Sequence, residues 1–173
     1  MEITKSKAAI DLSAGKTFDE FVGSSDLRSV SLSLGFESAV KECGKVTLAA
    51  FADMGCPDCR AVLPFLKKIH DANPDISVMF VEWNAESEKF LQDRLSTGRV
   101  PTVLALSSSG TLMDGAFIER PLGVHKAAAE AASRKDAMIA VGKFRNGGCD
   151  ALIEEDLLKV LRGEKNDVLQ YLK

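Results

Sequence analysis

Asp53-Met54-Gly55-Cys56-Pro57-Asp58-Cys59-Arg60 sets two cysteines three residues apart, where an apolar run ends and a helical pattern begins. The run before it, Val46-Thr47-Leu48-Ala49-Ala50-Phe51-Ala52, is nearly continuous, as expected of a strand covered on both faces. After it, Val62, Leu66 and Ile69 recur at helical spacing. A strand feeding a helix here places Cys56 at the helix N-terminus and Cys59 one turn further in. Unpaired N–H groups and the positive dipole end then stabilise a thiolate on Cys56, with Cys59 within bonding reach. Taken alone, the same spacing is also that of half a zinc site.

Around this stretch the sequence alternates strand and helix patterns. Pro64 lies inside the first helical pattern and Asn73-Pro74 ends it. A second apolar run covers residues 76–83 with Glu82 near its end. A polar helix follows over 85–95, its buried side formed by Phe90, Leu91 and Leu95. Residues 103–106 and 111–118 read as a hairpin around Ser107-Ser108-Ser109-Gly110. Upstream, Thr17-Phe18-Asp19-Glu20 is a capping box for a short helix ending at Gly23, and residues 36–43 form another. Downstream, residues 124–144 read as one alanine-rich helix with Ala128, Ala131, Met138 and Ile139 facing inward. Asp150 caps a last amphipathic helix carrying Ile153, Leu157, Val160 and Leu161. The expectation is an α/β sandwich on a central mixed four-stranded sheet, with an N-terminal helical extension and extra C-terminal helices. It is read as a single domain over residues 1–173: a loose N-terminus over 1–15, a core over 46–118 and C-terminal helices over 124–173.

The composition narrows the function. Of 173 residues, 46% are apolar and 27% charged, and the net charge of −3 argues against a nucleic-acid or acidic-lipid surface. No apolar run has membrane-spanning length, and the first residues carry no signal-peptide pattern. The expected setting is the cytoplasm, where cysteines are normally reduced. Cys43 and Cys149 stand apart from the pair and read as small hydrophobes. Two histidines are too few for a metal cluster, and no metal site is expected.

Three features share the order and spacing of the thioredoxin superfamily, which the chain resembles over residues 46–118. They are Cys56-Pro57-Asp58-Cys59 after the first core strand, Pro64 five residues beyond Cys59, and Val100-Pro101-Thr102, with Pro101 42 residues beyond it. The resemblance implies that Cys56 attacks substrate disulfides and that Cys59 resolves the mixed disulfide. It also implies that Pro101 is cis beside the dithiol. Gly55, Pro57, Asp58, Val100 and Pro101 would line the substrate site, the Val100 backbone pairing with an extended segment. No bound cofactor is implied; an external thiol or reductase would supply electrons, and the partners would be protein or small-molecule disulfides. The long C-terminal part is similar to a bacterial branch of thioredoxin-like proteins with a C-x-x-C.

Departures from the family shape the remaining expectations. Thioredoxins have tryptophans where this chain has Ala52 and Gly55, and a buried aspartate where it has Ala50. Glu82 is therefore expected to be buried, with a raised pKa, and to accept the Cys59 proton. Asp58 and Arg60 are expected as partly screened charges on the first helical turn that adjust the redox potential. Gly147-Gly148-Cys149-Asp150 looks like the glutathione-holding turn of glutaredoxins but lies too far beyond Pro101, and is read as accidental. The alternative to an oxidoreductase is a thioredoxin-fold binding or adaptor protein whose C-terminal helices dock a partner.

Overall fold

Strand β1 (Val46–Ala52) is the middle of the structure because its seven residues can be buried on both sides. It pairs in parallel with β2 (Ile76–Glu82) and antiparallel with β3 (Thr102–Ser107). Strand β4 (Leu112–Ile118) closes the far edge antiparallel to β3, so the sheet order is β2-β1-β3-β4. The computed structural model describes Leu12 and residues 15–172. The expected loose N-terminus, apart from Leu12 and Gly15, lies outside those residues.

Alternation along β1 divides the core in two. Leu48, Ala50 and Ala52 face helix α3 (Pro57–Ala72), whose Val62, Phe65, Leu66 and Ile69 are fully buried. Helices α1 (Phe18–Val22), α2 (Leu34–Glu42) and α7 (Asp150–Leu161) complete that layer. Ala49 and Phe51 face the other way, against Leu91 of α4 (Ala85–Leu95) and Val168 of a C-terminal 3-10 helix (Val168–Tyr171). This is the expected α/β/α arrangement.

The expected single helix over residues 124–144 is instead two: α5 (Leu122–Ala129) and α6 (Arg134–Arg145). Ser133 makes the break by capping α6, its side chain accepting from the Asp136 N–H at 3.1 Å. Helix α6 then packs against α5 and α3. Met138 and Ile139, expected inward, are 65% and 59% exposed, and Phe144 is the buried side chain of α6. Among the described residues no helix is long and apolar enough to cross a membrane.

Candidate active site

Cys56 is the N-cap of α3 and Pro57 its first residue, where a missing N–H costs nothing. The chain arrives from β1 through a turn closed by the Cys56 N–H on the Asp53 carbonyl at 3.0 Å. Cys56 is half-buried, and its thiol reaches the Val100 carbonyl at 3.9 Å. The Val100–Pro101 bond is cis, as the resemblance implies, and the Val100 carbonyl brings the proline loop against the Cys56 thiol.

The two thiols differ sharply in acidity. The Cys59 thiol donates to the Cys56 sulfur, the largest of the effects that bring Cys56 down to about 6. The first-turn N–H groups of Cys59 and Asp58 act in the same direction, while burial and the Asp58 charge oppose them. Cys59 is fully buried, and the bond to Cys56 together with burial pushes its pKa far up. Its sulfur accepts from the Asp53 N–H at 3.4 Å. One thiol is thus an anion near neutral pH, and the other holds its proton against it.

Glu82 does not reach this pair. It ends edge strand β2, its side chain is 60% exposed, and it bonds Lys16 Nζ at 2.6 Å. Lys16 itself is pinned by a two-way backbone bridge to Phe80, so the N-terminal segment draws Glu82 outward. The carboxylate whose charge bears on Cys59 is Asp53, with Oδ1 on the Gly55 N–H at 2.8 Å. Ala50 is buried and has no group to accept a proton, and Glu82, expected to take that role, is paired with Lys16 instead.

Asp58 corrects the expectation in the opposite sense. It is 3% exposed rather than a solvated charge or a substrate contact. Arg120, just after β4, donates from Nε to its Oδ2 at 3.0 Å. Arg145, the last residue of α6, donates from Nε to its Oδ1 at 2.5 Å. Glu119 holds Arg120 from behind at 3.0 Å and Arg99 at 2.6 Å. Its backbone has a positive φ of 64°, and its N–H is tied to the Pro101 carbonyl at 2.6 Å. A non-glycine residue in that conformation is costly unless its surroundings hold it there. Here the turn aims Arg120 at Asp58. Arg60, the other expected charge, donates instead to the Asp26 carbonyl at 2.5 Å.

Gly55 and Pro57 are exposed on the rim beside Cys56, on the side open to solvent. Gly147 to Asp150 is filled from within. Arg28 forks onto Asp150 at 2.7 and 3.0 Å, and a side chain at Gly147, whose φ is +87°, would strike the guanidinium. Cys43 and Cys149 are half-buried thiols whose pKa burial raises. Among the described residues no group of three or more His, Cys, Asp or Glu side chains is placed to hold a metal ion.

The sequence reading missed Arg120, Arg145, Glu119 and Arg99. The sign available was Asp58 itself: a carboxylate in a helix's first buried turn needs cations, though nothing local says which ones.

This fold and dithiol define a thioredoxin-like protein. The thioredoxin family matches residues 27–134, more than half the chain, and the chain belongs to that family. A protein of unknown function from Pseudomonas aeruginosa has a similar structure, with a TM-score of 0.67 and 21% identity. The match covers 88% of this chain and 95% of that one. An HIV epitope scaffold is similar at a TM-score of 0.69 and 23% identity, with the same coverage. At these identities the likeness is one of fold. No curated protein matches the sequence.

Proposed function

We propose that the protein is a thiol–disulfide oxidoreductase acting on cytosolic protein or small-molecule disulfides. The observation that carries the reading is the geometry of the dithiol: Cys56 is the half-buried N-cap of α3 against the cis Val100–Pro101 loop, with Cys59 fully buried one turn further in. That setting lowers the Cys56 pKa to about 6 and raises that of Cys59. The Cys56 thiolate attacks one sulfur of the substrate disulfide, and the substrate's other sulfur leaves as a thiolate that takes up a proton. With Cys56 now in a mixed disulfide, the anion that held the Cys59 proton is gone. Cys59 loses that proton and attacks the Cys56 sulfur, breaking the mixed disulfide; the second substrate sulfur leaves as a thiolate that takes up the proton, directly or through solvent. The substrate gains two electrons and the dithiol becomes a disulfide. An external thiol or reductase returns the electrons, and no bound cofactor is needed. The cis loop at Val100 and Pro101, with the Gly55-Pro57 rim, offers backbone for an extended substrate segment.

Reduction of insulin disulfides by dithiothreitol tests this. Wild type accelerates it, whereas Cys56→Ser gives only the uncatalysed rate. A wild type no faster than Cys56→Ser overturns the reading and favours an adaptor. Cys59→Ser in cells should accumulate mixed disulfides on Cys56, which would name the substrates.

A further inference from the structure

We propose that Arg145 is a positioning residue for Cys56: from the end of α6 it cancels the buried Asp58 charge and leaves the dithiol one net positive counter-charge. The inference deepens the oxidoreductase reading and rests on Cys56 working as a thiolate.

The geometry is that of a closed charge cluster. Asp58 is two residues from Cys56 and buried, so its carboxylate opposes a thiolate with little water between them. Arg120 and Arg145 take one carboxylate oxygen each. Arg120 is shared with Glu119, which also holds Arg99. Three guanidiniums against two carboxylates leave one positive charge, the complement of one thiolate. Of the other titratable groups beside the cluster, His125 feels Glu119, Arg120 and Arg99, but burial lowers its pKa and its Nε2 bonds the Ile118 carbonyl. Asp53 is exposed with Oδ1 on the Gly55 N–H, and Arg60 is bound to the Asp26 carbonyl. Arg145 keeps its proton through Asp58 first, with the Cys56 anion adding to the effect.

Burial explains why two arginines are present. A lone buried carboxylate under a thiolate would disfavour both anions. Arg120 alone is already divided between Asp58 and Glu119, so the uncompensated charge falls to Arg145. When Cys56 and Cys59 form a disulfide the thiolate disappears and the cluster is left with its positive charge unmatched. The cluster therefore favours the reduced form and makes the disulfide the better oxidant. Helix α6 thus belongs to the redox site, although it is remote from it in sequence.

The test is the pH profile of Cys56 alkylation by iodoacetamide in the full-length protein, with thermal melting to establish folding. Arg145→Gln should move the profile to higher pH, lowering the rate at about pH 5 by about tenfold. Asp58→Asn should move it the other way. The double variant, with the same net charge as wild type, should return to the wild-type profile, and Arg145→Lys should lie close to wild type. An Arg145→Gln profile that coincides with wild type overturns the proposal. So does a double variant that stays with Arg145→Gln, because a merely structural contact is not rescued by removing its partner. Equilibration of the dithiol with glutathione gives a second readout. Arg145→Gln should shift it about tenfold toward the disulfide, and no shift counts against the proposal. Alkylation does not depend on turnover, so failure here is distinguishable from failure of insulin reduction.

Discussion

Helices α3 and α7 start alike. Cys56 caps one and Cys149 the other, and each has an aspartate in its first turn held by arginine from elsewhere in the chain. Their thiols nonetheless shift in opposite directions, Cys56 down to about 6 and Cys149 up. A helix N-terminus is therefore not sufficient to make a reactive thiolate here. At α3 the cap residue is extended, with φ −86° and ψ 121°, and a second thiol donates to its sulfur. At α7 the cap has φ −128° and ψ 27°, among the described residues no second thiol bonds to Cys149, and burial dominates. The aspartates differ too. Asp58 is buried under two arginines, whereas Asp150 forms a half-exposed pair with Arg28.

The largest expected effect breaks the aspartate comparison. Arg120→Ala strips a cation from a buried carboxylate and should cost about 3 kcal/mol in urea unfolding. Arg28→Ala removes a pair open to solvent and should cost about 1 kcal/mol or less. Equal losses would mean that the two pairs are energetically alike. Next, Cys59→Ala removes the donor that most distinguishes Cys56 from Cys149. It should raise the midpoint of Cys56 alkylation from about 6 by about one unit or more. In wild type the Cys56 rate rises with pH through about 6, because the thiolate appears as the proton leaves. Cys149 should label slowly until the pH exceeds its ordinary thiol range. Peptide mapping at about pH 6 should favour Cys56 about tenfold, its thiolate fraction outweighing the lower nucleophilicity of an acidic thiol. The smallest effect concerns Glu82→Gln, which should leave mixed-disulfide resolution unchanged across pH, since Glu82 pairs with Lys16 at the sheet edge. A slowed resolution step would restore Glu82 as the proton acceptor.

Much of this was legible locally. The capping box at Thr17, the apolar run of β1 and the dithiol at a strand–helix junction each depend on neighbours within a few residues. They appear where the pattern puts them. The break at Ser133 was also local, a serine three residues before an aspartate, but alanine on either side masked it. Glu82 misled because alternation gives the side of a strand, not its depth. At a strand end on an edge, Lys16 of the preceding segment decides exposure.

By itself the sequence determined the architecture of the sheet and the identity of the two thiols. Periodicity, caps and the spacing from Cys59 to Pro101 are properties of short stretches and their order along the chain. The electrostatic setting of those thiols was decided only in three dimensions. Arg120 and Arg145 are separated from Asp58 by 62 and 87 residues, and nothing in either neighbourhood marks it as a partner. Burial makes the association necessary: a carboxylate removed from water must be matched by whichever cations the fold brings within reach.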